Sequence, residues 1–311
     1  MPSIETLHVF VRVAELASFT QAAQSLGLPK ASASTAVQRL EASLGTRLLH
    51  RTTRRVQLTH DGQVYYERCR DVLADLDDMQ TMFQPAPEGL RGRLRVDMPM
   101  RLAHDLIIPR LPEFLRAHPR IELELSSTDR RVDLVREGFD CVLRVGGLSD
   151  SSLVARPLGR MAMANMASPA YLAAHGEPRT LEDLAHHRLV HYVSSLGQRC
   201  PGFEWQDTDG RVCFQPMGGV LTVSDSGAYS AACLAGLGII QAPIHGSEVE
   251  LADGRLRPVL QEFQAASMPV HLLYPHRRQL PRRVQVFMQW LADQVTPRLL
   301  PWDTAHPGSL A

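Results

Sequence analysis

A nine-residue segment rich in proline and glycine, QPAPEGLRG at 84–92, separates two parts of the chain that differ in hydrophobic pattern. Before this segment, apolar residues recur every three or four positions, which is the period of amphipathic helices. After it, stretches of strand-like alternation are interleaved with helical stretches. We therefore expect a hinge at 85–92 between a helical region and an α/β region. A chain of 311 residues is long enough to give each region a core of its own.

Charge is distributed unevenly along a chain whose formal net charge is zero. Residues 1–60 carry seven basic and three acidic side chains, a net charge of +4, whereas residues 61–90 carry two basic and seven acidic ones, a net charge of −5. The whole-chain average therefore hides a basic N-terminal segment suited to a nucleic-acid partner. Lys30 is the only lysine, so the other 32 of the 33 basic residues are arginines.

Composition predicts a soluble cytoplasmic protein without a membrane partner. Hydrophobic residues make up 44% of the chain, but no uncharged apolar run approaches membrane-spanning length, and the N-terminus lacks the pattern of a signal peptide. The cysteines include no C-x-x-C pair, which favours reduced thiols over a disulfide framework or a zinc site. They are Cys69, Cys141, Cys200, Cys213 and Cys233. We expect no metal and no cofactor.

The first sixty residues predict three short helices followed by a hairpin. Apolar spacings of three and four over 4–14 predict the first helix. Ser18 and Gln21 have the spacing of a capping box and predict the start of the second helix. Gly27 lies where the chain must turn, and Pro29 suits the first turn of a third helix.

The third helix and the hairpin carry the candidate nucleic-acid contacts. Ala33, Val37, Leu40 and Leu44 form an apolar stripe and leave a small polar face opposite, while RLLHRTTRRVQLT at 47–59 predicts a hairpin tipped with arginine. The candidate DNA-binding residues are Lys30, Ala31, Ser32, Ser34, Thr35, Gln38 and Arg39 on the helix and Arg51, Arg54 and Arg55 in the hairpin. The alternative is an ordinary three-helix bundle with a solvated Ser/Thr-rich face and a solvated arginine loop.

Residues 3–62 resemble, without a gap, the DNA-binding domain of LysR-type transcriptional regulators. The resemblance rests on the paired alanines of the second helix, a leucine eight residues before Ser34, "LE" with "LG" four residues on, "R-T" in the hairpin and "LT" before Gly62. It implies a winged helix-turn-helix over 1–60. Pro29 and Thr35 depart from the pattern, because the family usually has serine at the first position and commonly arginine or lysine at the second.

A long helix is expected to follow over 61–84, because no proline and no glycine after Gly62 interrupts the chain before Pro85. Its apolar residues alternate in spacings of four and three, which is the pattern of a two-stranded seam. The seam residues are Tyr65, Cys69, Val72, Leu76, Met79 and Phe83. We interpret the segment as a linker helix that pairs two subunits, as the resemblance also implies. The alternative is a helix that lies on its own domain.

The remaining chain alternates strands and helices, which predicts an α/β sheet with parallel strands. The looser resemblance of this part, in DCVLRVG, SPAYL and AGLGI, implies a two-lobed effector domain of the type 2 periplasmic-binding-protein-like fold over 93–297. Lobe I is expected at 93–161 and 268–297, lobe II at 162–267, and a C-terminal tail at 298–311. The fold class is therefore α + α/β.

A ligand of such a fold is expected at the carboxyl ends of the strands, between the lobes. The candidate effector-binding residues are Met98, Pro99, Met100, Arg101, Ser127, Thr128, Arg144, Val145, Gly146, His191, Tyr192, Asp225 and Ser226. Arg101 and Arg144, and the start of a helix after Asp225, favour an anionic effector. The alternatives are that Asp225 or Ser226 only caps that helix and that the arginines form ion pairs.

These observations predict a LysR-type regulator that binds an interrupted-dyad operator in double-stranded DNA as a homodimer or homotetramer and responds to a small molecule. RNA polymerase is a further candidate partner. No nucleophile elbow, dinucleotide loop or metal-ligand box is found, so we expect no enzyme. Two hypotheses remain beside this one. Cys233 could sense oxidants, or the chain could be a solute-binding or catalytic α/β protein with an N-terminal oligomerisation module.

Overall fold

The computed structural model describes residues 2–51, 56–81, 89–148, 153–275 and 280–302, and the chain divides into two compact units, Met1–Arg93 and Leu94–Ala311. The elements of the first unit are α1 (Ile4–Leu16), α2 (Phe19–Ser25), α3 (Lys30–Leu44), β1 (Leu49–Arg51), β2 (Val56–Leu58) and α4 (His60–Thr81). β1 and β2 pair antiparallel and form the predicted hairpin, the wing.

Side-chain caps and one apolar core fix the three short helices. Ser3 and Ser18 accept hydrogen bonds from the first-turn amides of α1 and α2, as the capping-box spacing predicted for Ser18. Phe10, Val13 and Ala22 are fully buried between these helices. The structure differs from the sequence-based expectation at both ends of α3. Pro29 precedes the helix as its N-cap residue instead of lying in its first turn, and Leu44, expected in the apolar stripe, is exposed.

The predicted seam of α4 packs largely on its own unit. Cys69 and Leu73 are buried in the helix-turn-helix core, Tyr65 and Leu76 pack against that core, and the Tyr65 ring lies 5.6 Å from the Phe10 ring. Cys69 is therefore covered within its own unit, as the alternative of a helix lying on its own domain implies, whereas Tyr65 and Leu76 are only half-buried there and the pairing of two subunits through this helix stays a prediction. Val72 is exposed, and the side chain of Met79 and all of Phe83 lie outside the described residues.

The second unit begins within β3 and ends with a helix that returns to the first sheet. Its elements are β3 (Arg91–Met98), α5 (Met100–Leu102), α6 (Leu111–Ala117), β4 (Arg120–Ser127), α7 (Leu134–Glu137), β5 (Cys141–Val145), β6 (Leu153–Met161), β7 (Met163–Ala167), α8 (Pro169–His175), β8 (His191–Tyr192), β9 (Phe203–Gln206), β10 (Val212–Gln215), β11 (Thr222–Val223), α9 (Ser226–Leu234), β12 (Ile240–Pro243), α10 (Glu248–Ala252), β13 (Arg257–Pro258), β14 (Met268–Pro275) and α11 (Arg282–Val295). A π-helical turn at Ala103–Ile107 and 3-10 turns at Ile108–Arg110, Glu182–His186 and Thr296–Arg298 complete it.

Lobe I contains a mixed five-stranded sheet of order β4-β3-β5-β14-β6. β3 and β5 are parallel, as the alternation of strands and helices predicted, whereas β14 runs antiparallel to both β5 and β6. The sequence pattern did not predict β6. Pro157 and Gly159 interrupt its apolar residues, and both lie beside a register shift at Val270/His271 of β14, where an irregular ladder tolerates proline.

Lobe II does not have the parallel sheet that was expected. Its central strand, β7, pairs antiparallel with both β12 and β13, whereas the short pair β8–β11 and a bridge between Leu189 and Ile239 are parallel. β7 is antiparallel to its neighbours because no helix separates it from β6. It follows β6 directly through Ala162 and carries the chain out of lobe I as an extended strand. The side chain of Arg160 donates hydrogen bonds to Ser267 and so joins the outgoing crossing to the returning one. No described helix is long and apolar enough to cross a membrane.

Candidate nucleic-acid interface and effector cavity

α3 presents one face to the core and the opposite face to solvent. Ala33, Val37 and Leu40 are buried and hold the helix against α1 and α2. The predicted DNA-binding residues of this helix lie away from that stripe: Lys30, Ala31, Ser32, Thr35, Gln38 and Arg39 are exposed, and Ser34 is half-buried. A helix with a small, polar, solvent-facing side can approach the floor of a DNA major groove closely.

Lys30 is the first residue of α3, where the backbone amides carry partial positive charge. Pro29 supplies no side-chain cap to these amides. A cation at this position is unfavourable to the helix dipole, and Lys30 forms no ion pair with any described residue. A phosphate or a guanine edge placed there would satisfy both the lysine and the helix end.

The wing is tied to α3 by side chains from the residues that carry the family resemblance. Glu41 accepts hydrogen bonds from the amides of Leu48 and Leu49, at 2.9 and 3.0 Å. Thr59 donates to the carbonyl oxygen of Arg47 and accepts from the amide of Gly62. A Cβ on Gly62 would lie 1.9 Å from the Leu48 carbonyl oxygen, so only glycine fits. The close approach of the start of α4 to the wing thus has a steric cause at Gly62.

The predicted wing arginines are less completely described. The backbone of Arg51 belongs to β1, but its side chain, and all of Arg54 and Arg55, lie outside the described residues.

A cavity of about 360 Å³ lies between the two lobes of the second unit. Seven of the thirteen predicted effector-binding residues line it: Pro99, Arg101, Arg144, Val145, Gly146, Tyr192 and Ser226. The sequence did not indicate the rest of its wall, which includes Asp129, Arg131, Met161, Met163, Gln241, His245 and Met268. These residues come from loops, from strand β12 and from the two crossing connections, which only the tertiary fold brings together.

The other six predicted residues, Met98, Met100, Ser127, Thr128, His191 and Asp225, do not line the cavity. Met98 is buried in the sheet, and His191 Nε2 lies 3.2 Å from the carbonyl oxygen of Met217. Thr128 donates to the carboxylate of Asp97. Asp225 caps α9 by accepting from the amide of Ala228 at 2.7 Å, which is the alternative that the sequence had left open.

Arg144 is already neutralised from within the chain. Its guanidinium lies 3.5 Å from the carboxylate of the fully buried Asp97, and it also donates to the carbonyl oxygen of Arg130. Burial raises the pKa of Asp97 despite hydrogen bonds from Ser126 and Thr128, and burial lowers the pKa of Arg144. The pair is thus a desolvated ion pair beside the cavity, whose charges offset one another.

Arg101 is also paired. It contacts Asp105, four residues further on, at 3.0 Å, and Glu250 of lobe II at 3.6 Å, so it links the two lobes. The sequence led us to expect that Arg101 and Arg144 neutralise an anionic effector. In the structure, carboxylates of the same chain already neutralise both arginines.

Cys233 lies in the apolar core of lobe II. Its side chain is fully buried on α9, its thiol donates to the carbonyl oxygen of Met166, and burial raises its pKa to about 12. Because the thiolate is the reactive form, this environment disfavours the oxidant-sensor hypothesis, which the family's function does not require. Among the described residues, no three His, Cys, Asp or Glu side chains are grouped as a metal site would require.

A winged helix-turn-helix unit joined to a two-lobed α/β unit with a cavity between its lobes defines the class of ligand-responsive DNA-binding proteins. The comparisons with known proteins agree. Residues 4–63 match the model of the bacterial regulatory helix-turn-helix protein, lysR family, and residues 87–296 match the LysR substrate binding domain. The chain belongs to the LysR family of transcriptional regulators.

Relatives resemble the chain over nearly its whole length. It is 48% identical over 292 residues to YhjC of Escherichia coli K12, an HTH-type transcriptional regulator, covering 94% of this chain and 97% of that one. It is 38% identical over 294 residues to an HTH-type transcriptional repressor of Pseudomonas aeruginosa, with 94% and 92% covered. The structure of CrgA, a LysR-type regulator from Neisseria meningitidis, superposes with a TM-score of 0.58 at 32% identity, covering 93% and 97%.

The protein is thus a DNA-binding transcriptional regulator with an effector-binding domain. The hypothesis of a solute-binding protein with an N-terminal oligomerisation module is contradicted by the match over residues 4–63.

Proposed function

We propose that two copies of the chain bind an interrupted-dyad operator through the outward face of α3 and the wing, and that a small molecule in the inter-lobe cavity changes this binding. The observation that carries the proposal for DNA is Lys30, an exposed cation at the start of α3. Arg39 adds a second exposed cation near the middle of the same helix. The proposal places the protein in the cytoplasm, where promoter DNA is, and gives it no catalytic activity.

Lys30 offers a direct test of this interface, because no other lysine competes for an amine-specific reagent. We expect acetylation of its ε-amino group to be suppressed when the full chain binds a fragment of its own promoter region. A scrambled fragment of equal length is the control, and the N-terminal amine is the internal reference. Equal labelling of Lys30 in the free and the operator-bound protein would show that another face meets DNA.

The subunits are proposed to pair through the side of α4 that its own unit leaves uncovered. Val64 is 58% exposed and Val72 is 47% exposed, eight residues apart on one helix. Residues eight apart lie about two turns apart on one side of a helix and can join a second apolar stripe. This surface keeps Val72 of the predicted seam and adds Val64, in place of Tyr65, Cys69 and Leu76. A homotetramer, and a contact with RNA polymerase, are further parts of the proposal.

Sedimentation of the Val72→Asp variant tests the pairing surface. We expect the dimer to dissociate at least about tenfold more readily, because burying an unpaired carboxylate costs more than about 1.4 kcal/mol. Val212→Asp is the matched control, since Val212 is also 47% exposed but lies in the second unit on β10. A Val72→Asp variant that stays dimeric as firmly as the Val212→Asp control would contradict the assignment.

The effector is proposed to act from the cavity by changing the spacing of the DNA-binding units. The cavity supports this role because residues of both lobes line it, so that a ligand there contacts two parts that can move relative to each other. A molecule that binds the protein and leaves its operator footprint unchanged would argue against the coupling. The anionic effector expected from Arg101 and Arg144 is not retained, because both are paired internally.

A further inference from the structure

Asp129 links the two lobes through its carboxylate. It follows β4 in lobe I, and its Oδ1 accepts a hydrogen bond from the amide of Met100, at 3.1 Å. Its Oδ2 accepts from the amide of Ser226, the first residue of α9 in lobe II, at 2.5 Å. One side chain therefore connects a loop of the first lobe to a helix of the second, and it does so at the wall of the cavity.

The same contact occupies the place that a ligand carboxylate would need. The free amides in the first turn of a helix are the usual partners of a bound anion. Here the amide of Ser226 is bonded to Asp129 and the amide of Ala228 is bonded to Asp225. Both bonds are made by carboxylates of the chain itself, so an anionic ligand meets two negative charges at this end of the cavity.

Three arginines also line the cavity, of which Arg101 and Arg144 are paired with carboxylates of the chain, and the remaining wall is mostly uncharged. Met161, Met163 and Met268 form an apolar, deformable surface, and Tyr192 and Tyr229 lie with their rings 5.3 Å apart. Two further polar atoms on the wall are buried, Ser226 Oγ and His245 Nε2. Neither of them makes a hydrogen bond within the described parts of the chain. A hydroxyl or carbonyl group of a ligand would satisfy them.

We propose that Asp129 is the built-in anion of this cavity and sets its specificity. It holds the two lobes together, it excludes ligand carboxylates from the end of α9, and it leaves the cavity to an uncharged, largely apolar molecule with a hydroxyl or carbonyl group. This assignment rests on the proposed role of the cavity as the effector site.

Chemical rescue of the full-length Asp129→Ala variant tests the assignment. Removing the side chain lowers the melting temperature, and acetate then takes the position of the lost carboxylate. We expect about 100 mM sodium acetate to raise the melting temperature of Asp129→Ala by about 2 °C over sodium chloride of equal ionic strength, and to leave the wild type unchanged. Benzoate, a carboxylate with an apolar ring, is expected to behave as acetate does.

Hydrogen exchange provides a local readout of the same event. The amides of Met100 and Ser226 are expected to exchange about tenfold faster in Asp129→Ala and to slow again in acetate. Asp183→Ala is the matched control. Asp183 also accepts two backbone hydrogen bonds, from Arg179 and Thr180, but in an exposed turn away from the cavity, so acetate should not rescue it. Should Asp129→Ala not fold, Asp129→Asn is measured in the same way.

Two results would overturn the assignment. One is stabilisation of the wild type by acetate or benzoate as strong as that of the variant, since the cavity would then accept anions with Asp129 in place. The other is unchanged exchange at Met100 and Ser226 without any rescue. Neither readout involves DNA, so failure here leaves the proposed operator interface intact, whereas unprotected Lys30 would refute that interface alone.

Discussion

The recognition helix and the effector cavity both contain basic side chains, but the two regions differ in what neutralises them. On α3, Lys30 and Arg39 are exposed, and the described parts of the chain provide no carboxylate that pairs with either. In the cavity, Arg144 is paired with the buried Asp97, and Arg101 is paired with Asp105 and Glu250. A charge without an internal partner remains available to an external polyanion, whereas an internally paired charge contributes to the fold.

The dielectric environment explains this difference. An exposed cation keeps its hydration and costs the fold little, so it can be left for a phosphate. A cation taken into a cavity wall loses hydration, and the chain must supply the compensating charge and hydrogen bonds. The comparison therefore separates residues whose loss should weaken DNA binding from residues whose loss should weaken the fold.

The largest effect is expected from Asp97→Ala. This change removes a fully buried side chain, leaves a cavity, and takes away the acceptor of the Thr128 hydroxyl beside Arg144, so it should lower the free energy of unfolding of the second unit by about 3 kcal/mol. Urea unfolding monitored on the full chain measures the loss. Unaltered stability would mean that solvent, and not Asp97, neutralises the charge of Arg144. Arg144 would then resemble the exposed cations of α3, and the difference between the two regions would not hold.

Asp97 also predicts a pH dependence. Burial raises its pKa above the unfolded value of 3.8, so its contribution to stability is fully present below that value and is lost as the pH rises through the folded pKa. Relative to Asp97→Asn, the wild type should therefore lose stability as the pH rises through this interval. A constant difference between the two proteins across the interval would contradict the raised pKa.

Lys30→Ala should weaken DNA binding and leave the stability of the fold nearly unchanged, which is the reverse of what we expect for Asp97→Ala. We expect about tenfold weaker operator binding and a salt dependence reduced by about one ion, because one phosphate contact is lost. The stability of the chain should change by less than about 0.5 kcal/mol, since the side chain is exposed. Band-shift titrations over a salt series measure the first effect. Arg39→Ala is the matched control and should weaken binding less; equal losses would show that the DNA-facing side is misassigned.

A smaller effect is expected from Glu250→Gln, which breaks the pair between Arg101 and lobe II. The two side chains are partly exposed, so the loss of stability should stay below about 1 kcal/mol and should fade at high salt. Urea unfolding at low and high ionic strength measures it. A loss as large as that of Asp97→Ala would show that partial exposure does not weaken pairing in this cavity.

Replacing Cys233 is expected to leave the response of DNA binding to oxidants unchanged. Hydrogen peroxide should alter the DNA binding of the wild type and of Cys233→Ala equally, because the thiol is buried and its pKa is raised to about 12. Alkylation of the native protein, read by mass spectrometry, provides the complementary measurement. Rapid modification of Cys233 in the folded chain would reopen the oxidant hypothesis.

Local sequence signals predicted the DNA-binding unit better than the cavity. Ser18 caps α2 as the spacing with Gln21 indicated, and the hairpin predicted at 47–59 forms from β1 and β2. These features depend on residues close together in the chain. The packing of Tyr65 and Cys69 on α1 was missed, because a heptad pattern does not specify whether the covering surface belongs to the same chain or to another.

The sequence by itself determined the order of the domains, the family, and the basic, small-residue face of α3, because periodicity, turn residues and local charge are all properties of neighbouring residues. Only the tertiary structure decided which charges are neutralised. Arg144 meets Asp97 from another strand, and Asp129 meets Ser226 across 97 positions of the chain. Such pairings arise when distant segments lose water together, and no local pattern records them.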